Sequence, residues 1–427
     1  MNDDEKEAHY YRADNNSSNN VQSSTNESSV PSHWVMKNQR LIEFKNPFKG
    51  FKYPSTGDVI KFQREMVKNK QVIPSDDELP QYKPNMDLLN SPDMKSLQGD
   101  TPQVTWIGHS TFLIQFRGVN ILTDAVFSDR CSPLQFMGPK RIKPLPIEIE
   151  NLPTIHFVII SHNHYDHLDF YALTKIQQYH DPVILLPFRM KYSWMEKFYQ
   201  EKNNAELAKL KLIELDWWKS TNFNISMSSK KGEEKIESNL QFTFLPAQHW
   251  GLRTGMDRNE ALWGSWGCTF LYKDTESTET TSENIKSYKM WFAGDTGYSQ
   301  ECFTEIGEKF GPIDLSFIPI GAYEPRWMMK YQHVDPEEAV QIALDIKSKK
   351  QISMHWGTFI LTTEPIVQPK KDLEDNLKKR GLDDSFFVTM AHGNTIFPNA
   401  HSSTTASSST PTANINCEPP NPSVQIL

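Results

Sequence analysis

The sequence predicts an α/β fold in which two β-sheets pack face to face with helices outside, an αββα sandwich, between disordered ends. Three observations predict it. Short apolar runs of strand length alternate with helical stretches from about residue 101, in two similar halves. Histidines and carboxylates recur at the ends of several of those runs. Both ends of the chain are polar and of low complexity.

The 427 residues suffice for one large domain with additions. Residues 1–40, with Asn15-Asn16-Ser17-Ser18-Asn19-Asn20, read as a disordered tail, because they cannot bury enough apolar area to offset their ordering entropy. Residues 398–427, with Ser402, Ser403, Thr404 and Thr405, read the same way. Two inner polar segments, about 226–238 and 274–287, read as long surface loops. Residues 41–100 form a separate N-terminal segment. Within it Val59, Ile60, Phe62, Met66 and Val67 gather on one side of a helix, with Lys61, Arg64 and Lys68 on the rest. That helix either packs on the main domain or docks on a membrane surface, with both readings open to different residues.

Residues 101–397 read as the main folded domain. Val104–Trp106, Thr111–Phe116 and Val119–Leu122 begin it as hairpin-linked strands around Gly118. Phe157–Ile160, Val183–Leu186, Leu210–Leu215, Leu240–Leu245, Trp263–Tyr272, Lys289–Phe292, Leu315–Ile320, Gln351–Met354 and Phe386–Met390 follow as strands. Pro336–Lys347 is a helix with Asp335 as N-cap and Pro336 as first residue.

A net charge of -8 argues against nucleic-acid binding, which needs a basic face. The four cysteines, Cys131, Cys268, Cys302 and Cys417, form no CxxC pair and read as thiols of a reducing compartment. An acidic, polar start and the lack of an apolar run of about 18 residues predict a soluble or peripheral intracellular protein.

The chemistry concentrates in Ser161-His162-Asn163-His164-Tyr165-Asp166-His167, at the end of an apolar strand. Side chains two apart in extended chain point the same way, so His162 and His164 can share one ion. Asp166 and His167 follow a turn and can face a second. Imidazole and carboxylate without thiolate suit zinc, ahead of manganese or iron. Three further ligands sit at later strand ends: His249, Asp295 in Ala293-Gly294-Asp295-Thr296-Gly297, and His355. The expected sets are His162, His164 and His249 for one Zn2+, Asp166, His167 and His355 for the other, with Asp295 bridging. Two such ions lower the pKa of a shared water, and the hydroxide attacks phosphorus in a phosphodiester.

This constellation resembles the metallo-β-lactamase superfamily. Narrower segments resemble its N-acyl-phosphatidylethanolamine-hydrolysing phospholipase D family: Thr105 to Thr111, Phe136-Met137-Gly138-Pro139-Lys140-Arg141, Ile213 to Trp218, Leu262 to Trp266, and Ile318 to Trp327 running on to Glu338. The likeness covers about residues 100–397, and more loosely 44–82, but not the tails or polar inserts. It implies release of N-acylethanolamine and phosphatidic acid, a phospholipid substrate, homodimers, and peripheral attachment to a membrane surface on the cytosolic face of Golgi or endosomes. A lactonase or another phosphodiesterase is the alternative. Phe136 stands where the family has tyrosine.

On the substrate side Arg253, a few residues past His249, is placed to meet phosphate, with Tyr165 and Gln332 beside it. His333, just before a helix N-terminus, either orients phosphate or protonates the leaving alkoxide as a catalytic group, or makes a helix-entry hydrogen bond. His109 either supports the ligands or ends a strand. Trp217, Trp218, Trp327, Met328 and Met329 either line an acyl groove or fill the core. Lys140 and Arg141 either meet anionic headgroups or are solvated.

Overall fold

The strand Thr111–Phe116 is buried along its whole length, and its side chains alternate between two cores. Phe112, Ile114 and Phe116 join a large apolar cluster, while Leu113 joins a smaller one with Leu173 and Ile176. Such a strand needs a second sheet on one face and a helix on the other. In this computed structural model, which describes residues 30–90, 101–191, 210–228, 235–273, 285–398 and 423–426, it has both. The Phe112 ring meets Phe317 of the opposite sheet at 4.9 Å, and Phe116 meets Phe270 at 5.0 Å.

The chain begins with β1 (Trp34–Lys37), β2 (Arg40–Phe44), α1 (Thr56–Lys68) and α2 (Met86–Asn90). The first half then runs β3 (Gln103–Gly108), β4 (Thr111–Phe116), β5 (Val119–Thr123), β6 (Phe157–Ile159), α3 (Phe170–His180), β7 (Val183–Pro187) and β8 (Lys211–Leu215). The second runs β9 (Lys219–Ser228), β10 (Lys235–Leu245), β11 (Ser265–Lys273), β12 (Ile285–Phe292), α4 (Gln300–Lys309), β13 (Ile313–Pro319), α5 (Arg326–Met329), α6 (Pro336–Asp345), β14 (Ser348–Met354), α7 (Gln368–Arg380) and β15 (Phe387–Val388). It ends with β16 (Thr395–Ile396) and β17 (Ser423–Ile426). One sheet has the order β16-β3-β4-β5-β6-β7-β8 and the other β15-β14-β13-β12-β11-β10-β9-β17.

Each sheet opens with antiparallel hairpins and continues in parallel strands reached through helices. The β4–β5 turn consists of Arg117 and Gly118, both at positive φ (50° and 77°), the conformation that matches strand twist in a two-residue hairpin. The Asp335 cap is as expected: its side chain accepts from the Glu338 N–H, and Glu338 returns the bond.

Several expected boundaries shift. The stretch read as an N-terminal tail already contains β1, because His33 and Trp34 are tied to the Asp216 carboxylate at 2.7 and 3.0 Å. The stretch read as a C-terminal tail contains β17, paired antiparallel to β9. The described ends of the first polar insert are strand, since β9 and β10 pair out to Ser228 and Lys235. The remaining polar residues, 1–29, 229–234, 274–284 and 399–422, lie outside the described residues.

Helix α1 starts at a Ser55–Asp58 capping box and buries no side chain completely. Phe62 and Met66 are half-buried, whereas Val59, Ile60 and Val67 face solvent, Val67 at 79%. The helix therefore packs through Phe62 and Met66 and leaves Val59, Ile60 and Val67 exposed. Its Lys61 ammonium sits 3.8 Å over the Trp327 ring. Among the described residues no helix is long and apolar enough to cross a membrane.

Candidate metal centre

The strand ends of both sheets converge on one point. β6 runs into Ser161–His167, β10 into His249, β12 into Asp295 and β14 into His355. Gly294 permits the approach of β12: at φ 60° a Cβ there would lie 2.6 Å from Ser161 Cβ and 2.9 Å from the Gly264 carbonyl.

The predicted ligands come together as two sets. His162 Nε2 lies 2.9 Å from His164 Nδ1, which lies 3.2 Å from His249 Nε2. Nitrogens sharing a tetrahedral ion at about 2 Å stand about 3.3 Å apart, close to this spacing. Burial holds His162 and His249 well below the ordinary imidazole range and His164 down to about 4, so their ring lone pairs are free at neutral pH. Asp166, His167 and His355 form the other set, joined by His109. Asp166 Oδ2 lies 3.4 Å from His355 Nε2 and 3.5 Å from His167 Nε2.

Asp295 stands between the sets. Its Oδ2 is 3.0 Å from His355 Nε2, 3.1 Å from His167 Nε2, 3.8 Å from His162 Nε2 and 3.9 Å from His249 Nε2. Burial pushes the Asp295 carboxyl up, but the His167 and His355 cations outweigh it and hold it well below the carboxylate range. Burial lowers His167 and His355, and the facing carboxylates, Asp295 foremost, overcome this; His355 rises to about 9.

The site's polar atoms fit a cation. Nε2 of His167, Nε2 of His355 and Oδ1 of Asp295 are buried without hydrogen-bond partners. Each such atom costs about 1–3 kcal/mol unless something satisfies it. Nitrogen and oxygen donors without sulfur suit a hard or borderline divalent metal.

Other nitrogens of the same rings are held from behind. His167 Nδ1 meets Asp124 Oδ2 at 2.6 Å, His249 Nδ1 meets the Gln332 carbonyl at 3.0 Å, and His162 Nδ1 meets Ser161 Oγ at 2.9 Å. Such bonds fix which ring nitrogen faces the ion. His109 reaches the Asp166 carboxylate, its Nε2 3.0 Å from Oδ2. His109 and His355 both have positive φ, 55° and 60°, and the His355 N–H donates to the His109 carbonyl at 3.1 Å. Backbone strain is thus stored where the two sheets meet the site.

The substrate-side residues scatter more. His333 faces the centre, with Nδ1 3.8 Å from Asp295 Oδ2 and its side chain 14% exposed. Burial lowers it to about 3. Gln332 is turned inward, its carbonyl on His249 and its side-chain oxygen accepting from Trp250 Nε1 at 2.6 Å. The Arg253 guanidinium is buried beside the ligands rather than among them: it donates to the carbonyls of Asn163 and Leu168 at 3.1 and 2.6 Å and lies 3.8 Å from the Tyr165 ring centre. Arg253 and Tyr165 border a groove of about 730 Å³ with Phe127, Phe170 and Tyr171.

Arg141 is neither solvated nor at a headgroup position; it is buried, with Nε on the Ser128 carbonyl at 3.1 Å. Lys140 is exposed, 3.8 Å from Asp129. Trp217, Met328 and Met329 are buried, and the Trp217 indole N–H donates to the Trp263 carbonyl. Asp124 was missed by sequence reasoning. It also accepts from the Ser161 backbone N–H at 2.7 Å and from Ser161 Oγ at 2.6 Å. Its position at the end of β5 was the available signal.

Residues 119–356 match a beta-lactamase superfamily domain. The chain is 37% identical over 292 residues to N-acyl-phosphatidylethanolamine-hydrolyzing phospholipase D 1 of Caenorhabditis elegans, covering 68% of this chain and 74% of that protein. It is 33% identical over 291 residues to an uncharacterized protein of Mycobacterium tuberculosis, covering 67% and 66%. With the mitochondrial N-acyl-phosphatidylethanolamine-hydrolyzing phospholipase D of Saccharomyces cerevisiae it shares 32% over 271 residues, covering 63% of this chain and 50% of the yeast protein.

Proposed function

The chain belongs to the N-acyl-phosphatidylethanolamine-hydrolysing phospholipase D family of the beta-lactamase superfamily, and from that premise we propose that it is a two-zinc phospholipase D releasing N-acylethanolamine and phosphatidic acid. The observation that carries the reading is Asp295, one carboxylate oxygen shared between two sets of metal-ligand side chains.

His162, His164 and His249 would hold one zinc, Asp166, His167 and His355 the other, with Asp295 reaching both. When bound, two zinc ions lower the pKa of water and offset charge on a phosphodiester. The side chains around them do the rest. Asp124, Ser161 and the Gln332 carbonyl orient the ligand rings. His333, neutral and partly open to the cleft, acts as the catalytic group that meets the phosphoryl oxygens or, after taking up the proton released by the attacking water, passes it to the leaving oxygen. In the reaction water adds at phosphorus, the bond from phosphorus to the N-acylethanolamine oxygen breaks, and that oxygen takes a proton. Arg253 places Tyr165 at the substrate side of the His cluster, beside the groove where a long ligand has room.

The same reading places the protein on a membrane surface, on the cytosolic face of Golgi or endosomes, as a homodimer without nucleic-acid partners. In support, Val59, Ile60, Val67, Val72 and Ile73 are exposed near Lys61, Arg64 and Lys68. The test is mass-spectrometric product analysis after zinc-loaded protein meets N-acyl-phosphatidylethanolamine vesicles. N-acylethanolamine with phosphatidic acid supports the reading. Intact lipid, with turnover of a lactone or an unrelated phosphodiester, overturns it.

A further inference from the structure

Arg326 touches no metal-ligand side chain, yet its guanidinium closes the loop that carries His333. Its Nη1 donates to the His333 carbonyl at 2.8 Å. Its Nη2 lies 2.6 Å from Glu338 Oε2, and its Nε 3.4 Å from Asp335 Oδ2. Those two carboxylates are the capping box of α6, so the fork is anchored to a helix end already locked by its own bonds. From the other side, the N–H groups of Gln332 and His333 both reach the Met329 carbonyl at 2.8 Å. The His333 backbone is therefore gripped at its N–H by α5 and at its carbonyl by an arginine spanning to α6.

The His333 ring has no such grip of its own. Its Nδ1 is buried without a hydrogen-bond partner, and the neighbouring rings of His355 and His249 lie 5.2 and 5.4 Å away, centre to centre. A ring nitrogen kept free for a ligand cannot also be tied down. Its aim must come from the backbone, and a shift on the order of 1 Å costs about a hundredfold in rate.

We propose that Arg326 is the positioning residue of His333, aiming its ring at Asp295 by bridging the His333 carbonyl to the first turn of α6. The proposal rests on the substrate-facing role given to His333 above. Lysine could not substitute, because one ammonium lacks the planar fork that serves a carbonyl and two carboxylates together. The Arg326 and Glu338 side chains are only 26% and 27% exposed, so a positioning role is separated from a folding role by its coupling to His333 and not by stability.

The test is a double-mutant cycle on the zinc-loaded full chain, with N-acyl-phosphatidylethanolamine vesicles or, if these are not cleaved, bis(4-nitrophenyl) phosphate. Arg326→Gln is expected to lower kcat about tenfold with KM within about twofold, and to cost nothing further in a His333→Ala background. Arg326→Lys should behave like Arg326→Gln. An equal loss in both backgrounds, or full rescue by lysine, overturns the proposal. A readout independent of turnover is the carbon-13 spectrum of ring-labelled histidine, with the His333 signal assigned from His333→Ala. That signal should move or split in Arg326→Gln; an unchanged signal overturns the proposal whatever the substrate.

Discussion

The Nδ1–H of His167 donates to Asp124 Oδ2 across 2.6 Å, and neither side chain reaches solvent. Asp124 also holds Ser161 through two bonds, so one carboxylate fixes the start of the metal-ligand segment and one of its rings. Asp124→Asn keeps the shape but loses the charge that orients the ring. Affinity for the ion bound by Asp166, His167 and His355 should fall about 10- to 100-fold, measured by chelator competition. Unchanged affinity at both positions would sink the role given to Asp124.

In the metal-free protein the carboxylates of Asp295 and Asp166 are balanced by raised His167 and His355, the latter at about 9. Metal must displace those protons, so affinity should drop as pH falls from about 9 toward 6, with protons released on binding. Calorimetry in two buffers of different ionisation enthalpy counts them. The same groups make the metal-free fold stability pH-dependent with a definite sign. A raised histidine stabilises fully below about 6.5 and loses that contribution as pH climbs through its folded value. The melting temperature of the metal-free protein should therefore slip between pH 6.5 and 9. No proton release and a flat profile would contradict the charge arrangement.

The candidate metal ligands were legible because their spacing is local. His162, His164, Asp166 and His167 lie within six residues, and His249, Asp295 and His355 each close an apolar run. Asp124 was not legible, because its partners His167 and Ser161 are 43 and 37 residues away. The burial of Arg253 and Arg141 was not legible for a related reason: a guanidinium satisfied by backbone carbonyls looks, in sequence, like one free for phosphate. The strands β1 and β17 hid in polar sequence. Their order comes from distant partners, the Asp216 carboxylate for one and the edge of β9 for the other.

Far from the metal site, His156 accepts the Asn120 backbone N–H at Nδ1 across 2.9 Å and is held down to about 4 by burial. A depressed histidine stabilises fully above about 6.5 and loses that contribution as pH falls toward 4, here on the order of 3 kcal/mol. His156→Gln keeps an acceptor but cannot take up a proton. Its denaturant midpoint should change less between pH 6.5 and 4 than that of wild type. Parallel profiles would show that His156 is not the acid-sensitive group.

Exposed Ile60 and Val67 on α1 test the membrane reading. Ile60→Asp with Val67→Asp should weaken vesicle binding and slow vesicle turnover several-fold, each apolar side chain contributing about 1 kcal/mol on a lipid surface. Metal content and cleavage of a water-soluble diester should stay as in wild type. Undiminished vesicle binding would remove α1 from the membrane contact.

The sharing of Asp295 between two ligand sets is best tested by comparing turnover of wild type and Asp295→Asn at saturating zinc, with the bound zinc of each sample counted. An asparagine of the same shape cannot offer a shared anionic oxygen. The variant should bind less than the two zinc ions expected for wild type and lose about a thousandfold or more in kcat. An Asp295→Asn protein that keeps wild-type zinc content and wild-type turnover would contradict a centre built around that carboxylate.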